Sequence, residues 1–410
     1  MNFLEISEKE YEKFWSSYKN RCFLSSVELG SLRKDKGWNI KYVGLKENNK
    51  VVACAMLLYR KRHFNKYEYY AMRGPLIDYK DENTSKIFFK NLKTYIKKHN
   101  GYILRIDPNI IDITRDIDGN PIENKEDNSN FVKVLKSIGF KKNPHGEQND
   151  TMFSLNLENK TEEEILNEMK PNTKATIKKV EKNNIKIKEL KYNELNLFYD
   201  ILLKTGKRKD FEVRSLDYYK QMYNKLYDKG YVKFLITELD LKENLNSLKN
   251  NFENKETELN SLSDAKYNDG KRKNIQNEIE SIKRKIEYTN SIIEKSQKDK
   301  IIMSASMFVL MKPEIVYLSS GNDEEYMNYN SQFLLQWEMI KYAIKNGFKK
   351  YNFYGIITYN DKNNKDYGVY EFKRGFNGYV EKLIGEYEMP ISKEYYIIKL
   401  YNNLRRIIKR

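Results

Sequence analysis

Leu241-Lys242-Glu243-Asn244-Leu245-Asn246-Ser247-Leu248 opens the stretch that sets the architecture of this chain. Apolar residues follow at Phe252, Leu259 and Leu262, so the intervals from Leu241 are four, three, four, seven and three. This is heptad spacing, which places one apolar seam along a helix. Ser263 to Gly270 reads as a polar turn, and Ile275, Ile279, Ile282, Ile286 and Ile293 then repeat intervals of four, three, four and seven. No proline interrupts residues 241–300. Two such runs joined by a short turn predict an antiparallel coiled-coil hairpin. Each helix of about 28 residues would be about 40 Å long at ~1.5 Å rise per residue.

Working outward, both flanks read as α/β. Before the hairpin, Thr161 to Glu181 is helical with an interruption near Pro171, Ile185 to Leu190 is a strand, Asn193 to Thr205 and Ser215 to Asp228 are helices, and Gly230 to Glu238 begins a strand. After it, Ile301 to Met311 and Glu314 to Leu318 form a strand pair around Lys312-Pro313, followed by a helix from Asn328 to Asn346 and a strand at Tyr351 to Phe353. The hairpin is therefore an insertion between two strands. Residues 1–155 form an earlier unit of similar order, with strands at Ile40–Leu45, Val51–Tyr59, Tyr67–Met72 and Tyr102–Asp107 and a helix at Ser85–His99. The expected domains are 1–155, 156–238 continuing at 301–410, and the arm at 239–300, with the C-terminal helix possibly returning to the first unit.

Composition bounds the class. Forty per cent of the 410 residues are hydrophobic, enough for a sizeable core. The abundance of Lys, Asn, Ile and Tyr is compatible with AT-rich codon usage. The net charge of +17 suits polyanions such as nucleic acid, nucleotide diphosphates or anionic membrane, and equally a solvated lysine surface. Cys22 and Cys54 read as packed thiols. Met1 to Phe14 has no secretory pattern and no window reaches the ~20 apolar residues of a membrane span, so a soluble cytoplasmic protein is expected.

The commonest catalytic motifs are missing. His63, His99 and His145 have no metal-ligand spacing, and there is no Gly-x-Ser-x-Gly elbow, no phosphate-binding P-loop and no acetyl-CoA pyrophosphate loop. No metal or cofactor is expected. Four stretches remain as candidates. Arg33-Lys34-Asp35-Lys36-Gly37-Trp38 is a basic knot that reads as a helix C-cap or as an anion grip. Arg208 to Arg214, with Tyr218 four residues on, reads as a surface ion cluster or as a binding pair sharing a helix face if the helix starts near Ser215. The third is Tyr317-Leu318-Ser319-Ser320-Gly321-Asn322 with the helix bearing Leu334-Leu335-Gln336-Trp337-Glu338. The fourth is Tyr370-Glu371-Phe372-Lys373-Arg374-Gly375-Phe376-Asn377-Gly378, a basic aromatic-glycine loop that reads as an ordinary turn or as a backbone approach to a phosphate or oxyanion.

Taken together, Tyr317-Leu318 to Gly321, the Leu334–Glu338 helix, Phe353 to Gly355, and the run from Phe372-Lys373 through Gly378 to Ile384-Gly385-Glu386-Tyr387 resemble the C-terminal half of the FemABX family of peptidoglycan bridge aminoacyltransferases. Lys170-Pro171-Asn172-Thr173-Lys174, Arg73-Gly74-Pro75 and Arg105-Ile106-Asp107-Pro108 are similar to its upstream elements, with Lys174 where the family usually has Arg. The resemblance implies two tandem GNAT-like units and an arm like those of tRNA-binding proteins. It also implies amide formation without a covalent enzyme intermediate, from aminoacyl-tRNA to the stem peptide or growing bridge of a lipid-linked or UDP-linked muramyl-pentapeptide. Glycine, serine or alanine is the expected cargo. By the same resemblance Lys373 is the cation near the ester carbonyl, with Phe372 shaping the pocket. Asp107 orients the attacking amine, or is a turn residue before proline. Lys34, Lys36, Trp38, Arg214, Tyr218 and Tyr317 bind the precursor, most of them at its diphosphate.

Alternatives stay open: another acceptor (a protein N-terminus or a lipid), or a non-enzymatic RNA- or membrane-binding scaffold. The arm reads as a tRNA contact or as a protein contact, including a homo- or hetero-dimer with related transferases. The basic helix Tyr395 to Arg410, with Ile397, Leu400, Leu404 and Ile407 on one face, reads as packed on the body or as a peripheral membrane contact.

Overall fold

A computed structural model describes residues 1–123, 128–263 and 266–408. In the first part of the chain lie β1 (Asn2–Glu5), α1 (Glu8–Ser17), α2 (Val27–Lys34), β2 (Asn39–Glu47), β3 (Lys50–Lys61), β4 (Tyr67–Ala71), α3 (Glu82–Lys98), β5 (Gly101–Ile106), β6 (Ile111–Arg115), α4 (Ser129–Ser137), β7 (Lys141–Asn143) and β8 (Thr151–Asn156). The middle part has α5 (Glu162–Glu168), α6 (Pro171–Val180), β9 (Ile185–Glu189), α7 (Leu195–Lys209), α8 (Leu216–Leu226), β10 (Val232–Asp240), α9 (Leu241–Asn260), α10 (Asp269–Ser296), β11 (Lys300–Met311), β12 (Glu314–Asn322) and α11 (Ser331–Lys345). The last part has β13 (Lys350–Gly355), α12 (Tyr367–Arg374), β14 (Tyr379–Leu383), β15 (Glu386–Pro390) and α13 (Glu394–Ile408).

The chain divides into two compact units, Met1–Asn156 with Lys350–Arg410, and Leu157–Lys349. This differs from the sequence expectation, which put all of 301–410 except the last helix in the second unit. The physical reason is strand pairing. β15 inserts antiparallel between β5 and β7, and Tyr387 and Met389 bury in the first unit's core. The polar–apolar alternation of β15 is visible in sequence, but the sheet it joins is not.

In the first unit one sheet runs β1-β2-β3-β4-β5-β15-β7, and β4 with β5 is its parallel pair. Its core is built from Val43, Leu57, Tyr69, Leu104 and Ile106 on the strands against Phe88, Phe89 and Leu92 of α3 and Phe131 and Leu135 of α4. The helix α3 forms because those aromatics recur at helical spacing behind an Asp81 cap that accepts from the Thr84 amide. A second ladder runs β6-β14-β8-β13. In the second unit β12-β11-β10-β9 form an antiparallel ladder.

Between β10 and β11 the chain runs through α9 and α10. Asp240 and Lys300 are paired neighbours at the ends of β10 and β11, so the chain leaves and re-enters at one place. The helices α9 and α10 pack on one another, with Ile275, Ile279, Ile282 and Ile292 buried and Lys255 bridging to Glu278 at 2.8 Å. The first helix, at 20 residues, is shorter than the expected 28. The expected turn from Ser263 to Gly270 lies partly outside the described residues. Among the described residues no helix is long and apolar enough to cross a membrane.

The C-terminal helix turns opposite to expectation. Tyr395 and Ile398 bury against Tyr102 and Ile103, while Ile397 and Leu400 stay 52% and 62% exposed. The side chains of Leu404 and Ile407 lie outside the described residues. The buried Tyr395 hydroxyl donates to Glu388 at 2.6 Å, which fixes that rotation.

Candidate active site

The basic aromatic-glycine stretch is a helix and not a loop. Residues 370–374 hold no glycine, and α12 buries Tyr370 and Lys373 three positions apart on its inner face. It is clamped from outside by Arg374, which reaches Asp118 at 2.8 Å and Glu371 at 3.2 Å, and by the Tyr370 hydroxyl, which donates to the Ile117 carbonyl at 2.5 Å. Gly375 follows the helix. Gly378 serves packing: a Cβ there would stand 2.1 Å from the Ser154 carbonyl oxygen on β8.

Lys373 is 4% exposed, and burial alone lowers its pKa to about 7. Its Nζ donates to the carbonyls of Gly355 at 2.7 Å and Tyr354 at 3.3 Å. Both carbonyls sit at a bulge: the β13–β8 register shifts between Asn352 and Gly355, and Tyr354 has φ +64°. Bulges of this kind re-aim backbone groups beside functional sites. The Asn352 side chain accepts from the Tyr354 amide at 2.8 Å and holds the turn. Gly355 has no room for a side chain, since a Cβ would lie 2.2 Å from Asn149 Nδ2. Phe372 is half-buried, edge-on to Phe376 with centroids 5.5 Å apart.

Asp107 closes the other side of this cluster. It follows β5 and is 2% exposed, and burial raises its pKa to about 6 against the opposing pull of Arg73. Its Oδ1 accepts from the Arg73 amide at 2.7 Å, and its Oδ2, 3.6 Å from Arg73 Nη1, makes no hydrogen bond. Arg73 is itself 2% exposed with φ +49°, and its Nη2 donates to the Asn149 carbonyl at 2.5 Å. Asp107, Arg73, Asn149, Gly355 and Lys373 thus form one continuous chain of contacts. Most non-glycine residues with positive φ here are Asn or Asp, whereas Arg73 and Tyr354 are bulky. Two such residues in one cluster, each costing about 1–3 kcal/mol, mark a site whose geometry is held by its surroundings.

The basic knot lies at the C-terminal end of α2. Lys34 and Lys36 are exposed, Gly37 has φ +76°, and Trp38 is buried, with the Arg60 guanidinium 4.0 Å above its ring and Tyr70 at 6.5 Å. Arg33 donates to the Met72 sulfur at 3.3 Å, so this end of α2 abuts the residue before Arg73. Behind Tyr70, Arg105 is buried between Glu68 at 2.5 Å and Glu386 at 3.3 Å, a rigid ionic backing.

The remaining candidates lie in the second unit. Ser215 caps α8 as the spacing suggested, and the Arg214 guanidinium stands 5.2 Å from the Tyr218 ring centroid. The next residue, Tyr219, meets the Ser319 hydroxyl at 3.3 Å, which ties α8 to β12. Tyr317 on β12 is 7% exposed, and burial raises its pKa to about 12. Its hydroxyl donates to Ser320 Oγ at 2.5 Å and accepts from Gln332 Nε2 at 2.7 Å. Among the described residues no group of three His, Cys, Asp or Glu side chains converges as metal ligands would.

A FemAB family model matches residues 6–403. The chain belongs to the FemAB family. Aminoacyltransferase FemA of Staphylococcus aureus strain MRSA252 is 28% identical over 424 residues, and the match spans all of both chains. The same protein from strain N315 matches equally, at 28% identity over the full length. Among solved structures, FemX superposes with a TM-score of 0.76 at 22% identity, over 97% of this chain and 99% of that one. That likeness establishes the mixed α/β FemAB fold.

Set within that fold, the residues missed in sequence are Arg73, Asn149, Asn352 and Tyr354. Arg73-Gly74-Pro75 was visible as a break in pattern, and a charged residue before Gly-Pro at a strand end was the available signal. Asn149 had none, because its contacts to Arg73 and Gly355 join segments far apart in the chain, and Tyr354, although inside the Phe353 to Gly355 stretch, acts through a backbone carbonyl that its side chain does not announce.

Proposed function

We propose that this FemAB-family chain is an aminoacyltransferase that moves an amino acid from aminoacyl-tRNA onto the stem peptide or growing bridge of a peptidoglycan precursor. The observation that carries the reading is the Lys373 amine, buried and titrating near neutrality. An ammonium in a dry site stabilises a developing oxyanion far better than one in water. The relatives named aminoacyltransferase support the reaction class.

The chemistry balances without any group from outside the two substrates. The acceptor's neutral amine attacks the ester carbonyl, a C–N bond forms, and the negative charge on the carbonyl oxygen faces Lys373. Collapse breaks the ester C–O bond, and the terminal ribose hydroxyl of tRNA leaves with the proton the amine sheds. Phe372 walls the pocket. Asp107, whose Oδ2 makes no hydrogen bond of its own, positions the attacking amine. Lys34, Lys36, Trp38, Arg214, Tyr218 and Tyr317 are the residues assigned to precursor contact, and the exposed cations among them suit its diphosphate.

The test is mass spectrometry of UDP-linked and lipid-linked muramyl-pentapeptide after incubation with the chain and a mixed aminoacyl-tRNA pool. The expected product is heavier by one amino-acid residue in amide linkage. Equal product from free amino acid and ATP without tRNA, or none from either acceptor, overturns the reading.

A further inference from the structure

Two elements of the first unit meet in an exposed patch that is both apolar and basic. The first is the tip of the β3–β4 hairpin, Lys61-Arg62-His63-Phe64-Asn65-Lys66, closed by the Arg62 amide donating to the Lys66 carbonyl at 2.7 Å. The second is α13, whose outer face carries Tyr396, Ile397, Leu400 and Tyr401 at helical spacing. The His63 ring stands edge-on to the Tyr401 ring with centroids 4.8 Å apart, so tip and helix form one surface. Phe64, Tyr396, Ile397 and Leu400 are each more than half exposed. Folding gains little from side chains left in water, and several large ones gathered in one place mark a contact surface. Phe64 has φ +57° and Asn65 φ +56°. The left-handed conformation is costly for a bulky side chain, and here it is spent on a phenyl ring that faces solvent.

The charges select the partner. Lys61, Arg62, Lys393 and Lys399 flank these side chains and are exposed, and among the described residues neither Lys61 nor Lys393 has an ion-pair partner. The nearby carboxylates are engaged: Glu394 faces Lys66 at 3.4 Å, Glu68 pairs with Arg60 and Arg62, and the buried Glu388 accepts from Tyr395 and Lys399. From Tyr395 to Arg410 the sequence holds five cations and no acid. Rings and alkyl groups set among cations fit an anionic lipid surface, where the apolar groups enter the headgroup boundary and the lysines meet phosphates. A second copy of this chain across a two-fold axis would instead set the same cations against each other. None of these patch residues belongs to the transfer chemistry proposed above.

We infer that this face docks the protein on an anionic lipid bilayer, with Phe64 and the outer stripe of α13 entering the headgroup region. The test is flotation of the full chain with vesicles of phosphatidylcholine alone and of phosphatidylcholine mixed with phosphatidylglycerol, at ~0.1 M salt. The wild type should rise with the anionic vesicles and stay behind with the neutral ones. F64S/I397S/L400S should bind about tenfold or more weakly, because it withdraws three apolar side chains from the interface. K61Q/K393Q, which leaves the apolar face intact, should lose about fivefold for each lysine removed. Both variants should melt with the wild type and match its transfer to soluble UDP-linked muramyl-pentapeptide, since all five substitutions lie on the surface and outside the site. Vesicle binding decides the inference whether or not the wild type transfers, so it fails separately from the proposed function. Wild-type binding that is absent, that is equal on neutral vesicles, or that is unchanged in both variants overturns it. So does light scattering that shows a wild-type dimer dissociated by F64S/I397S/L400S, which assigns the face to a second copy.

Discussion

Replacing Lys373 by methionine should abolish transfer and yet stabilise the first unit at neutral pH. The side chains are similar in length, so the perturbation removes the charge and the hydrogen-bond donor but little packing. Burial holds Lys373 at about 7 against an ordinary 10.5. At about 1.4 kcal/mol per pK unit, the folded state bears about 5 kcal/mol for carrying this ammonium below pH 7. The sign follows from proton counting. Between pH 7 and 10.5 the unfolded chain holds a proton that the folded chain has released, so wild-type stability rises with pH across that window. Methionine abolishes the burden but leaves the carbonyls of Tyr354 and Gly355 without this donor, a loss of about 1–3 kcal/mol. The net gain is about 2 kcal/mol at pH 6.5, shrinking to a loss near pH 9.5. Urea titration in a Trp337→Phe background isolates the effect, because the other two indoles, Trp15 and Trp38, both lie in the first unit. Equal destabilisation at both pH values, with a pH slope matching the wild type, would refute the claim that Lys373 is a desolvated amine.

Three further outcomes are expected. Asp107→Asn keeps the Oδ1 acceptor for the Arg73 amide, so the protein should fold while kcat drops about tenfold or more. The wild-type kcat should rise through about pH 6 as Asp107 ionises, and the variant should lack that limb. Gly378→Ala drives a Cβ to 2.1 Å from the Ser154 carbonyl oxygen, backbone against backbone, and should lower the urea midpoint by the equivalent of about 2 kcal/mol or more. Arg214→Ala, at an exposed helix start, should raise KM for the diphosphate-bearing precursor about tenfold with kcat nearly unchanged, consistent with about 1.5–3 kcal/mol for a charge-assisted contact.

Elements with strong local signals were legible in the sequence. The heptads of Leu241 to Ile293 marked helical segments where α9 and α10 run, and the serine before Leu216 marked the α8 start that brings Arg214 to Tyr218. Lys373, on which the proposed chemistry turns, was also named, but its setting was misread. Glycines flanking residues 370–374 suggested a loop open to ligand, whereas Gly375 ends a helix and Gly378 yields space to β8. Long-range pairing was beyond local reading. Nothing in Glu386–Pro390 announces that it crosses back between β5 and β7. The rotation of α13 was missed because two apolar stripes compete, Ile397 with Leu400 and Tyr395 with Ile398, and packing on Tyr102 and Ile103 together with hydrogen bonds from Tyr395 and Lys399 to Glu388 selects the second.

The most direct test of the account is single-turnover transfer of a labelled amino acid from aminoacyl-tRNA to muramyl-pentapeptide by the wild type and by Lys373→Met at matched saturation. The account predicts amide-linked label with the wild type and a rate lower by about 10²–10³ in the variant, with tRNA and precursor binding preserved. A variant that transfers at the wild-type rate would contradict it.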